Sequence, residues 1–382
     1  FYCKLRNRAN KMKFSTSKIE LQKALQKVSK ATPTRSTLPI LSCLLISTTK
    51  KGTLFRATDL EITIQVELPV SVEEEGAACL PIKTLLNITN ELPETRVTIS
   101  VKNQKAKIQT DFGEYDLMSK HADEFPEIPK IGTKQSFDFD SFNLKEIIKT
   151  TSFAISKDEL KPALTGVLFR IQNSEITAVS TDGHRLVRHI NRGVKFKKST
   201  KGDFIAPRKF LSFLLNQELE KNVKILLGEN YIAAENNKDV VITRLIDERF
   251  PDYDSVIPKD NKKVLNISKN EFLSAIRRVS IFSNKSTHQV AINLKEKEVC
   301  NISTEDPEKS SKAHESLNVK YKGDELIIGY NAEYLKDVVS HIPTENVIIN
   351  FNTSISAALF SPSLKEEKSD TLMLLMPIRL ND

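Results

Sequence analysis

Glycine is scarce in this chain, 11 among 382 residues, and none of it forms a Walker-type or G-x-G-x-x-G phosphate loop. The four cysteines, Cys3, Cys43, Cys79 and Cys300, are scattered with no C-x-x-C pair, which argues for reduced thiols of a cytoplasmic protein rather than disulfides or zinc. Six histidines show no H-E-x-x-H or comparable ligand spacing, so neither a metal nor a cofactor is expected. No apolar run approaches the ~18 residues of a membrane span, and no secretory signal pattern is seen. Activated nucleophiles are not evident either, and the chain reads as a non-enzyme.

What is present is a repeat. Between Ser17 and Ser29 the apolar residues Leu21, Ala24, Leu25 and Val28 follow i, i+3, i+4, i+7, one face of a helix. Moving on 123 residues gives Leu144, Ile147, Ile148 and Thr151, and a further 128 gives Phe272, Ala275, Ile276 and Val279. Start signals recur with the stripe: Ser17 with Glu20, Asp140 with Asn143, and Ser268 with Glu271. Ser29, Ser152 and Ser280 close the copies at one offset. A triplication implies three domains of about 125 residues, here 12–133, 134–261 and 262–382, with Phe1–Lys11 an extension of unassigned fold.

Each copy continues alike. A second helix is expected at Ile82–Leu92, Arg208–Leu219 and Ala332–Ile342, with Pro81 and Pro207 opening the first two. Strand-like runs include Leu44–Ser47, the alternating stretch Leu54–Leu68, Val97–Val101, Ala106–Thr110, Tyr115–Met118, Val223–Leu227 and Val347–Phe351. Two helices among more numerous strands make each module α+β.

The net charge of +8 is unevenly placed: the first eleven residues carry +4, and the three modules +1, +3 and 0. A nearly neutral body does not grip nucleic acid by bulk charge, so any such contact needs a local basic surface. The outer faces of the three repeated helices supply one candidate, with Lys23 and Lys27, then Lys149, then Arg277 and Arg278. A solvated face is the ordinary reading of one such helix; three alike shift it towards a shared polyanion.

Asp182, His184 and Arg185 in Thr181-Asp182-Gly183-His184-Arg185-Leu186 are the most enzyme-like cluster, and a hydrolase or nuclease is the catalytic alternative. Thr58-Asp59 stands 123 residues earlier without the histidine, however, and a shared turn is the simpler reading. The apolar chain end, Thr371–Leu380, reads as a final core strand or as the rim of a partner groove. A protein-binding scaffold that encircles nothing is a third class.

Thr58-Asp59-Leu60-Glu61, Thr181–Leu186, Arg249-Phe250-Pro251-Asp252-Tyr253 and Met376-Pro377-Ile378-Arg379-Leu380, in this order and spacing, closely resemble the bacterial DNA sliding clamps, the DNA polymerase III beta subunits, from Met12 to Leu380. The resemblance implies the DNA clamp fold, three tandem domains each with two helices and outer antiparallel sheets. It implies a head-to-tail homodimeric ring that encircles duplex DNA without sequence specificity, a processivity factor tethering the polymerase. Further implied partners are the clamp loader, repair polymerases, mismatch-repair proteins and ligase. Carried over, the partner-peptide pocket comprises Leu164, Thr181, Gly183, His184, Arg185, Leu186, Pro251, Val256, Ser356, Leu374, Met376, Pro377 and Arg379. Ser255 stands where well-known relatives have Arg and Ile378 where they have Met, and Asn381-Asp382 run past the usual last Leu. The DNA side adds Arg35, Lys161 and Lys285 on loops to the five helix cations, and the intersubunit contact sets Leu117 against Ile281 and Phe282.

Overall fold

The computed structural model describes residues 11–33, 35–128, 130–172, 175–194, 202–296, 298–364 and 366–380; Asn381, Asp382 and all of the extension but Lys11 lie outside them. Among the described residues are six α-helices: α1 (Lys18–Ser29), α2 (Ile82–Glu91), α3 (Ser141–Thr151), α4 (Arg208–Leu215), α5 (Lys269–Ser280) and α6 (Ala332–Ser340). Twenty-six strands accompany them in antiparallel sheets, an α+β architecture. Lys11 already belongs to the first strand, Lys11–Ser17.

The repeated helices start where their side chains dictate. Ser17 Oγ accepts from the Glu20 amide at 3.2 Å, Asp140 Oδ1 from Asn143 at 3.1 Å and Ser268 Oγ from Glu271 at 3.5 Å, each satisfying one orphan donor of the first turn. The apolar stripes Leu21–Ala24–Leu25–Val28, Leu144–Ile147–Ile148–Thr151 and Phe272–Ala275–Ile276–Val279 are all buried.

Three local expectations need correction. Pro81 is the N-cap of α2 and the last residue of strand Gly76–Pro81, not the first helical residue. The helix expected to reach Leu219 stops at Leu215, because Asn236 holds the following segment outside a helix, accepting from the Glu220 amide at 2.7 Å and donating to the Glu218 carbonyl at 3.1 Å. Leu54–Leu68 is not one run but two strands, Gly52–Thr58 and Ile62–Leu68, with Leu60 at the corner at φ 77°.

By compactness the chain falls into two units, each joining parts of two repeats. One holds residues up to Asp138 with Asn216–Leu245; the other holds Phe139–Leu215 with the chain from Ile246 on. The reason is strand pairing across the repeat. In the first unit Asp239–Arg244, of the second repeat, lies antiparallel on Ile62–Leu68 of the first. In the second unit Arg185–Asn191 lies antiparallel on Ser369–Leu375 of the third repeat. That second pairing sits inside a nine-stranded sheet, whose core continues through α5 and α6 with Phe272, Ile276, Leu335 and Val339.

Replacing Asp140 by Ala should cost the N-terminus of α3 about 1 kcal/mol. Hydrogen exchange read over its first turn should quicken by roughly fivefold, and unchanged protection there would remove the cap's role.

Candidate partner groove and nucleic-acid face

The residues expected to form the partner groove are brought together by the register of two strands. Arg185 pairs with Leu375 and Leu186 with Leu374, and the Met376 amide donates to the His184 carbonyl at 2.8 Å, so the chain end runs on beside the Thr181–Arg185 turn. Leu186 (2% exposed) and Leu374 (3%) pack with Leu168, Val179, Ile205, Tyr253 and Ala357 into one buried apolar cluster, the candidate floor. Leu164 closes a short helical turn, Pro162–Leu164, and is buried. Above the floor stand exposed rims: Pro251 and Val256 on one segment, Met376 and Arg379 on the chain end, with Pro377 and Ser356 half-buried. Ile355, 70% exposed beside Ser356, was not singled out in the sequence, nor was Tyr253 as part of the floor.

The Thr181–Arg185 turn is held by its own side chains. Thr181 Oγ1 donates to the Arg185 carbonyl at 2.7 Å, and Asp182 Oδ1 accepts from the amides of His184 at 2.9 Å and Arg185 at 3.0 Å. Gly183 takes φ 91°, a left-handed conformation natural to glycine. Thr58 and Asp59 make the same bonds around Leu60: Thr58 Oγ1 to the Ile62 carbonyl at 3.0 Å, and Asp59 Oδ1 from Glu61 at 3.1 Å and Ile62 at 2.9 Å. A turn made twice identifies a structural element. Asp182 is committed to it, accepting from two backbone amides of the turn.

Arg185 is 8% exposed and turns inward. Its Nε donates to Asp182 at 3.1 Å, Nη1 to Asp337 at 2.6 Å and Nη2 to the Phe153 carbonyl at 3.0 Å. The guanidinium also lies 5.3 Å from the Phe153 ring and 4.7 Å from the Tyr334 ring. Its side chain thus ties the turn to α6, while exposed His184 stands 5.5 Å from Tyr334.

The cations expected towards DNA are all exposed except half-buried Lys27. Half of them carry a carboxylate neighbour: Lys27 with Asp239 at 2.6 Å, Arg278 with Glu315 at 2.6 Å, Lys23 with Glu20 and Lys161 with Asp158 both at 3.9 Å. Arg35, Lys149, Arg277 and Lys285 have no ion pair among the described residues. Leu117 lies on Gly113–Met118, the outermost strand of a five-stranded sheet, and Ile281 (77% exposed) and Phe282 (44%) follow α5.

Cys43, Cys79 and Cys300 are buried free thiols, and burial pushes Cys300 up to about 12. Among the described residues no helix is long and apolar enough to cross a membrane, and no cluster of metal-ligating side chains occurs.

Three family models match the chain in order: DNA polymerase III beta subunit N-terminal domain over residues 12–129, central domain over 138–252 and C-terminal domain over 254–379. The beta sliding clamp of Chlamydia pneumoniae is 30% identical over 97% of this chain and its own full length. Among solved structures, the DNA polymerase sliding clamp of Bacillus subtilis superposes with a TM-score of 0.92 at 28% identity, covering 97% of this chain and 100% of that one. The Pseudomonas aeruginosa sliding clamp bound to griselimycin does so at 0.89 and 29% identity with the same coverage.

On the reverse face of the groove strand, His189 is 1% exposed and its Nδ1 lies 2.8 Å from Thr371 Oγ1. Burial depresses this imidazole to about 4, against the opposing pull of Glu366 and Asp370. Above pH 6.5 it is neutral folded or unfolded; below, the unfolded chain takes up the proton first. Stability should therefore fall by up to about 3 kcal/mol between pH 6.5 and 4 on this account. Denaturant melts of His189→Asn against the parent should show a flatter slope in that window, and identical slopes would exclude His189 as the source.

Proposed function

This chain belongs to the DNA polymerase III beta subunit family, the bacterial sliding clamps, and we propose that two copies close head to tail into a ring around duplex DNA. The ordered match of all three domain models over residues 12–379 carries this reading. Each copy would supply three of six similar modules, a heterologous assembly that closes on itself. The sheet edges support it: Gly113–Met118 ends one sheet with Glu114 and Asp116 exposed, and Ser311–Asn318 ends another with Lys312 and His314 exposed. Unpaired strand edges suit pairing between copies, with Leu117 of one meeting Ile281 and Phe282 of the other.

Inside such a ring Lys23, Lys27, Arg35, Lys149, Lys161, Arg277, Arg278 and Lys285 would meet phosphates. Phosphate contacts position a protein without reading sequence. They weaken as salt rises, so closure around the duplex rather than affinity would hold the clamp in place. Polymerase, clamp loader and repair clients would seat short apolar segments in the groove floored by Leu186 and Leu374. On this reading the chain performs no catalytic step, and Asp182 and Arg185 serve the turn, bonded to one another.

Native mass at micromolar concentration should be twice 43.2 kDa. Ile281→Ala with Phe282→Ala should loosen the dimer, since truncating a large apolar side chain buried in a contact costs roughly 2–5 kcal/mol. A strict monomer, or a dimer constant untouched by the double substitution, would remove the ring or this contact.

Griselimycin, bound by the Pseudomonas aeruginosa clamp, should bind this protein, and in the groove. Met376→Ala should cut its affinity about tenfold, the loss of ~1.4 kcal/mol, with the dimer intact. Calorimetry returning equal affinities would place the drug elsewhere.

A further inference from the structure

Arg185 and Arg188 stand on one strand and are treated oppositely by the fold. Alternation along the strand puts Arg188 on the face of Leu186, one step further along the groove floor. Its side chain is only 25% exposed, yet Nη1 is 3.8 Å from Asp254 and Nη2 3.7 Å from Asp370, both too long for a hydrogen bond. Nε is buried without a partner. Nη1 and Nη2 are not buried, and among the described residues they have only these two long carboxylate contacts, with no hydrogen bond to a protein acceptor. Buried donors ordinarily find an acceptor, and Asp254 lies on the same segment as Val256, an exposed rim of the groove.

Two residues of extended chain span about 6.6 Å. A segment anchored by an apolar side chain over Leu186 and Leu374, and running along the strand, therefore carries its main chain past Arg188. We propose that Arg188 is a second recognition point of the groove, donating to main-chain carbonyl oxygens of an extended client segment. The acceptor is neutral for an electrostatic reason. Asp254 and Asp370 already flank the guanidinium, so a third carboxylate would meet two like charges, whereas a neutral carbonyl accepts the hydrogen bond without adding a full negative charge. Such a grip does not depend on which side chains follow the anchor, which suits a site shared by several clients. The inference rests on reading the groove as the client site.

The test is fluorescence polarisation with the full-length protein and fluorescein-labelled Ser-Ser-Leu-Phe-Ser-Ser, together with versions in which each amide in turn is replaced by an alkene. Arg188→Met should weaken the parent peptide about tenfold. One alkene version should lose a similar factor on the unsubstituted protein and nothing more on Arg188→Met, the non-additivity of a direct contact. Unchanged affinity of Arg188→Met, or additive losses at every amide, overturns the proposal. A glutamate-containing peptide that binds tighter to the unsubstituted protein, but not to Arg188→Met, overturns the neutral acceptor. Native mass and melting temperature check each variant, and Arg188→Gln replaces Arg188→Met if the latter misfolds. No binding of the parent peptide to the unsubstituted protein rejects the groove itself; binding that ignores Arg188 rejects only the inference.

Discussion

Antiparallel pairing between strands of different repeats is the constraint on which the site depends. The Arg185–Asn191 strand meets Ser369–Leu375 over seven residue pairs, fixing Leu186 opposite Leu374. A slip of Ser369–Leu375 by one residue would turn Leu374 to the opposite face and leave Leu186 without its partner. The same register brings the Met376 amide onto the His184 carbonyl, so the chain end becomes a rim instead of a loose tail. Fold and site are fixed by one set of hydrogen bonds.

The first unit repeats that frame with a different outcome. Ile62–Leu68 pairs with Asp239–Arg244, and the Arg244 amide donates to the Glu61 carbonyl at 3.3 Å, the counterpart of Met376 on His184. Thr63 opposite Ile242 stands where the second unit has Leu186 opposite Leu374. Leu60 occupies the left-handed corner that Gly183 takes, with its side chain 58% exposed. One backbone arrangement thus yields an apolar floor at one junction and a threonine and an obstructed corner at the other. Function is carried by side chains set on the frame, not by the frame.

How much of this the sequence disclosed follows from range. Caps and stripes of α1, α3 and α5 act within eight residues, so spacing alone revealed them. The break at Leu60 escaped because a leucine seldom marks a left-handed corner; the bonds from Thr58 and Asp59 that hold it there are a quieter signal. The end of α4 escaped because Asn236, more than fifteen residues on, decides it. In the groove, motif residues were legible singly, but the inward turn of Arg185 depends on Asp337, 152 residues away. Arg188 offered no pattern at all, since its character comes from hydrogen bonds it does not make.

Charge shows the same split between local and distant information. The basic bias of the helix faces is legible in the sequence, but the partner of Lys27 is Asp239, 212 residues later, and that of Arg278 is Glu315. On the proposed reading these pairs matter to sliding. A cation that already shares a carboxylate gains less from a phosphate, because each contact must compete with an existing partner in a screened, exposed setting. With the affinity per contact lowered, no phosphate holds a bound ring at one position, and moving by a base pair exchanges one weak contact for another. A strongly basic, unpaired lining would bind tighter and slide worse. For a protein held by closure around its substrate, the near-neutral modules are then the favourable design rather than a deficiency.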